Sequence, residues 1–213
     1  MLTRWGEAIQ RVTSKDDVWR EYPRPQLKRA AWLNLNGLWQ YAIAPRTASK
    51  PSAWDGEILV PFAVESPLSG VQKSVSIEER VWYQRDFSLP DGWPDQRIIL
   101  HFGAVDFEAA VWINGAYVGS HRGGFDPFSM DITDFIQPDV NTLTVTVWDP
   151  SSLGDQPRGK QHMKPQGIWY TSVTGIWQTV WLEPVGKEAH IDEIRIRSDL
   201  SDSSITLDLL IAR

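Results

Sequence analysis

Twelve tryptophans stand among these 213 residues, and they are the side chains best suited to specific recognition chemistry. An exposed indole can stack on the apolar C–H face of a pyranose ring, because both surfaces then shed water. A buried indole instead fills the middle of a two-sheet sandwich with more apolar area than any other side chain. Position along the chain separates the two uses. Trp39, Trp82, Trp112, Trp148, Trp177 and Trp181 stand in strand-like alternation and are expected in a core or at a domain contact. Trp54, Trp93 and Trp169 lie beside turn residues and are the candidates for exposed contact with a sugar.

The other chemically able residues form no constellation. His101, His121, His162 and His190 are scattered, with no spacing that puts two on one face of one element to hold a metal. Ser66, Ser69 and Ser129 lack the Gly-x-Ser-x-Gly setting of a hydrolase nucleophile. Gly123-Gly124 runs into Phe125-Asp126 rather than a phosphate-cradling Lys-Ser/Thr pattern. Glu65, Glu78 and Glu79 read as isolated surface charge. With no Cys, disulfides and thiolate metal sites are excluded. Neither metal nor cofactor is expected.

Composition narrows the partners. A net charge of -6 and a pI near 5.2 argue against nucleic acid, which requires a basic surface. No run approaches the ~18 apolar residues of a membrane span, so no membrane partner is expected. The start, MLTRWGEAIQ, has no apolar core segment and no small-residue cleavage site, so a cytoplasmic location is expected. A share of 42% hydrophobic and 23% charged residues suits a globular chain with a sizeable core.

The elements that must position these residues are short strands. Asn114-Gly115 stands between alternating runs, the signal for a two-residue hairpin whose turn positions both need φ > 0. Val111 and Ile113 share one face and Trp112 the other; the return strand, Ala116 to Val118, is expected to be stopped by Gly119. Leu143, Val145 and Val147 alternate with Thr144, Thr146 and Trp148, which predicts a half-buried strand. Strands are expected over 37–43, 57–61, 80–87, 97–103, 108–114, 116–120, 142–148 and 176–183. Residues 1–30 predict an irregular arm with a short helix near Glu7 to Val12. Between Trp148 and Trp169 runs a loop of about twenty residues, rich in Pro, Gly and charge; loops above ~12–15 residues are usually functional or disordered. Short strands without helical periodicity predict an all-β sandwich.

AVWINGAYVGSHRGGFDPFSMDIT (110–133), YPRPQLKRAAWLNLNGLWQYAI (22–43), ILVPFAVESPLSGV (58–71), VWYQRDFSLP (81–90), HFGAVDFEA (101–109) and GIWYTSVTGIWQTVWLEPV (167–185) carry a resemblance. Together they closely resemble, in order, the N-terminal sugar-binding domain of glycoside hydrolase family 2. That family holds the β-galactosidases, β-glucuronidases and β-mannosidases. The resemblance implies a jelly-roll β-sandwich of the galactose-binding-like kind over 31–186, preceded by the arm 1–30. Residues 187–213 resemble the first hairpin of the immunoglobulin-like domain that follows in the family. Two strands cannot bury a core alone, so a piece of a longer protein is expected.

The resemblance also says where chemistry should lie. Family 2 enzymes carry two catalytic glutamates on a TIM barrel, the acid/base after an Asn; such a barrel needs ~250 residues. No Asn-Glu dipeptide occurs here, so the chain itself is expected to be no enzyme and to have no catalytic residue. In the family's β-galactosidases an Asp at the end of the strand before the long loop reaches the substrate pocket. The matching residue is Asp149, with Asp155 as the alternative; without that match, Asp149 is a turn-forming Asp before Pro150. The expected partners are the missing immunoglobulin-like and barrel domains, carbohydrate held weakly, and a second copy through the 187–213 hairpin. A free-standing carbohydrate-binding module with a Trp platform and a protein-interaction sandwich are the competing readings.

Overall fold

In a computed structural model the described residues are 3–11, 18–93 and 95–213. Helix α1 spans Arg4–Arg11, three residues earlier than the sequence suggests; Val12 lies outside the described residues. Among the described residues fourteen strands follow. They are β1 (Leu33–Asn34), β2 (Gly37–Pro45), β3 (Gly56–Val60), β4 (Glu79–Ser88) and β5 (Arg97–Phe102). Next come β6 (Val105–Asp106), β7 (Glu108–Ile113), β8 (Ala116–Arg122), β9 (Phe128–Asp131) and β10 (Val140–Trp148). The last are β11 (Gly175–Ile176), β12 (Val180–Val185), β13 (His190–Asp199) and β14 (Ser204–Ala212).

Two sheets make the sandwich. One has six strands in the order β3-β2-β4-β10-β7-β8, the other four in the order β1-β12-β5-β9. Between them Trp39, Tyr83, Leu100, Phe102, Val111 and Leu182 belong to one continuous buried core. The architecture is the all-β sandwich that the strand pattern implies. The Asn114-Gly115 turn forms with φ of 53° and 83°, as a hairpin of this kind requires. Asn114 also staples that turn to its surroundings. Its Nδ2 donates to the Phe135 carbonyl at 2.8 Å, and its Oδ1 accepts from the Thr142 amide at 2.9 Å.

Three expectations are corrected. The return strand β8 passes through Gly119 and continues to Arg122, with a bulge where Val111 and Trp112 face it. The run 176–183 is two strands: β11 pairs with β6, and β12 pairs with β1 and β5. Strand β10 is buried on both faces, not one, with Thr144 and Thr146 as hidden as Val145. The reason lies in register. Thr146 faces Trp82 on β4 and Thr144 faces Trp112 on β7, and those two indoles stack over β10 with centroids 5.9 Å apart.

One buried carboxylate organises the arm. Glu183 on β12 is fully buried and lies 3.0 Å from Arg24 and 2.7 Å from Arg29. It also accepts from the Tyr22 hydroxyl and, at 2.8 Å, from Trp181 Nε1. Arg29 and Arg24 reach onward to the Ile191 and Asp192 carbonyls of β13. Burial works against ionisation of Glu183, yet the His101 ring, Tyr22 and the groups around them hold its carboxyl well below the usual range. Burial in turn pushes the His101 imidazole down, toward its neutral form. Arg24 and Arg29 supply the counter-charge, and these ion pairs join residues 22–29 of the arm to β12.

The hairpin β13–β14 is amphipathic. Ile194 pairs with Leu209 and Ile196 with Leu207 on one face, while Arg197 meets Asp208 at 2.8 Å on the other. The apolar face is open: Leu207 is 57% and Ile205 70% exposed.

Candidate functional site

Three carboxylates from three parts of the chain converge where the long loop joins the sandwich. Asp149 follows β10, Asp106 ends β6, and Glu65 lies in the turn after β3. Asp149 Oδ1 accepts from the Ser151 amide at 2.6 Å, and its Oδ2 accepts from the Thr174 hydroxyl at 3.3 Å. The Thr174 amide donates to Glu65 Oε2 at 2.9 Å. Gln161, in the middle of the loop, donates from Nε2 to Asp106 Oδ2 at 2.9 Å and accepts from the Val173 amide at 2.7 Å. The Ser151 and Ser172 hydroxyls meet at 2.5 Å across the loop's two ends. The loop is thus anchored at its start, middle and end by one polar network.

Burial, then the charges of Asp149 and Glu65, outweigh the Gln161 hydrogen bond and push Asp106 up to about 7. Burial likewise pushes Glu65 up to about 7, against its bond from Thr174. Asp149 is also raised, again by burial. Among the described residues no group of three His, Cys, Asp or Glu side chains could hold a metal ion. The local sequence is shaped to this packing. A Cβ added to Gly124 would lie 2.5 Å from Asp106 Oδ1, and one added to Gly175 would lie 1.9 Å from the Tyr83 hydroxyl.

Beside the network opens a cleft of about 730 Å³. Trp148 is fixed in its wall by a bond from Nε1 to the Ile77 carbonyl at 2.7 Å, and the Arg46 guanidinium lies 3.6 Å over its ring. The segment 123–126 and the segment 153–157 also line the cleft. The first is held down by Trp177, whose Nε1 donates to the Gly124 carbonyl at 2.8 Å.

The sequence candidates fare differently. Asp149 is buried in the network, 4% exposed, and its first bond is the turn-forming one to Ser151. Asp155 is exposed on the rim of the cleft. Trp169 is 37% exposed with its ring against His162, and Trp54 is half-buried near Lys50; neither lines the cleft. Trp93 is corrected outright. It is 6% exposed and part of the core, because the turn closed by Trp93 N and the Pro90 carbonyl points its ring inward. Glu65 is corrected too, from isolated surface charge to a member of the network. Sequence reasoning missed Asp106 and Gln161. The one local signal for Asp106 is a carboxylate between Val105 and Phe107 in an apolar run.

Comparisons with known proteins agree with this architecture. The family model described as "Glycosyl hydrolases family 2, sugar binding domain" matches residues 33–184. A β-glucuronidase of Paenibacillus borealis is 30% identical over 146 residues, covering 65% of this chain and 24% of that protein. A β-galactosidase of Thermoanaerobacter pseudethanolicus is 28% identical over 134 residues, covering 59% of this chain and 17% of that protein. The chain therefore spans a quarter or less of the length of these two relatives. Among solved structures, a β-glucuronidase from Ruminococcus gnavus in complex with uronic deoxynojirimycin superposes with a TM-score of 0.69. It is 20% identical, with 89% of this chain and 35% of that chain covered, and so shares the fold. The chain belongs to glycosyl hydrolase family 2, whose sugar-binding domain it carries over residues 33–184.

Proposed function

We propose that this chain is a non-catalytic domain of a longer β-glycosidase, which buttresses a catalytic barrel and lends loop residues to its sugar pocket. One observation carries the reading. The loop after Asp149 is anchored at three points by buried polar groups, yet it presents Leu153, Ile168 and Tyr170 at 62%, 68% and 68% exposure. A loop held in one conformation while showing apolar side chains to water is built to meet another surface. The open apolar face of β13–β14 supports the same reading, since the rest of an immunoglobulin-like sandwich would cover it. Carbohydrate held by this chain alone is expected to bind weakly, because half a pocket supplies few convergent polar groups.

The test uses the longer protein of which this domain is the N-terminal part. Replacing Ile168 and Tyr170 together by Ser should lower its kcat/KM on chromogenic β-glycosides at least about tenfold, by loosening the domain contact. Full activity in that double variant would overturn the buttressing role.

A further inference from the structure

The hairpin β13–β14 continues neither sheet of the sandwich. Among the described residues β13 pairs with β14 alone, and residues 186–189 separate it from Val185, the end of the core strand β12. The arm reaches β13 from the side. Residues Pro25–Leu27 form one 3-10 turn, and the arginines flanking it, Arg24 and Arg29, both end on Glu183 Oε2. Each guanidinium is used twice. Arg29 donates from Nε to Glu183 at 2.7 Å and from Nη2 to the Ile191 carbonyl at 2.6 Å. Arg24 donates from Nη2 to Glu183 at 3.0 Å and from Nη1 to the Asp192 carbonyl at 3.4 Å. Those two carbonyls stand at an irregularity of β13, where the pairing shifts between Ile191 and Glu193 and leaves Asp192 without a partner across the hairpin. A bulge takes backbone groups out of the ladder and re-aims them; here the arm's arginines receive them.

We infer that the arm segment 22–29 is a clasp that fixes the direction in which the chain beyond β12 leaves the sandwich, with Glu183 as its anchor and the two guanidinium forks as its bridges. A guanidinium is planar and carries its donors in a fixed fork, so two acceptors on one group are held at a set angle. Two such groups, sharing one buried carboxylate and gripping adjacent carbonyls, oppose rotation of the hairpin about residues 186–189. The connection itself is closely folded: a Cβ on Gly186 would lie 2.8 Å from the Ala189 carbonyl oxygen. The ion pairs Arg195–Glu193 and Arg197–Asp208 lie within the hairpin and make no such bridge. The clasp needs neither a sugar nor a barrel. In the longer protein proposed above, the chain beyond β14 would inherit its direction.

The experiment reads that direction in the 213-residue chain at neutral pH. The chain has no Cys, so Asp139→Cys on the sandwich and Leu200→Cys on the hairpin turn, both exposed positions, can carry two spin labels. Pulsed electron–electron resonance, with the labelled chain diluted in excess unlabelled chain, gives the distance distribution within single molecules. The expected result is one narrow distribution. Arg24→Lys combined with Arg29→Lys keeps both positive charges beside Glu183 but removes the forks, and should widen the distribution about twofold while the amide spectrum of the sandwich stays folded. Arg197→Lys, which alters an ion pair inside the hairpin, should leave the width unchanged. A broad distribution in the parent, an unchanged width in the double lysine variant, or equal widening in Arg197→Lys would each overturn the clasp. Loss of the sandwich spectrum in the double variant would overturn it too, because the arginines would then hold the sandwich itself and not its angle to the hairpin.

Discussion

Gln161 Nε2 donates to Asp106 Oδ2 at 2.9 Å across 55 residues of chain, and this bond pins the middle of the long loop to the sandwich. The same Gln161 side chain accepts from the Val173 amide, so a single residue clamps the outgoing and returning halves of the loop. Asp106 is 3% exposed, and burial pushes its carboxyl up to about 7. The clamp is therefore built around a carboxyl that prefers to be neutral.

Loop anchoring should weaken as pH rises. Asp106 and Glu65 titrate at about 7 in the folded chain, against about 4 when unfolded. Between those values the folded state holds more protons, so stability falls as pH climbs from about 4 to about 7 and stays lower above. Asp106→Asn keeps an acceptor for Gln161 and removes the ionisation. By urea unfolding it should be ~1–2 kcal/mol more stable than the parent at pH 8 and show no gain at pH 4. Parallel curves for the two proteins across pH would contradict this account of the clamp.

Glu183 has the opposite sign. Its carboxyl is depressed below the ordinary range in the folded chain, so its contribution is present above the unfolded value of about 4.3 and is lost as pH falls below it. Glu183→Gln leaves Arg24 and Arg29 without their buried counter-charge and should cost about 3 kcal/mol at neutral pH. The gap should close in acid. Proteolysis of the variant should begin in the arm before residue 33, where Arg24 and Arg29 tie the chain to Glu183. A variant as stable as the parent at pH 7 would show that the arm is held by something else.

Much of the fold was legible because it is written in local chemistry. The Asn114-Gly115 turn and the strands β2, β4, β7 and β10 follow from alternation and from residues that tolerate positive φ. Strands β1, β6 and β9 were not legible, since they have only two to four residues each and exist through partners distant in sequence, as His101 pairs with Ser129. Trp93 misled because a neighbouring Asp91-Gly92 turn usually marks surface, whereas here the turn folds the indole inward. Glu65, Asp106 and Gln161 could not be found from spacing. They become a site only when residues 65, 106, 149, 161 and 174 are brought together by the two sheets.

The hairpin supplies a prediction about assembly. Six apolar side chains, Ile191, Ile194, Ile196, Leu207, Leu209 and Ile211, share its open face, and each is worth ~1.5–3 kcal/mol when fully covered. Without the rest of a sandwich, the 213-residue chain should dimerise through this face, the commonest symmetric solution. A chain ended at Gly186 should stay folded and be monomeric. Light scattering decides: a full chain that remains monomeric at high concentration would contradict pairing through the hairpin.

The central claim is that this domain contributes to a glycosidase without performing the hydrolysis. Asp149 and Asp106 are buried, and with Glu65 they are committed to holding backbone amides and side chains, not placed as an acid and a nucleophile flanking a substrate. The most direct measurement incubates the purified 213-residue chain with chromogenic β-galactosides, β-glucuronides and β-mannosides. The account predicts no turnover above buffer with any of them. Sustained hydrolysis that survives repurification, and that is abolished by replacing a carboxylate of this chain, would contradict it.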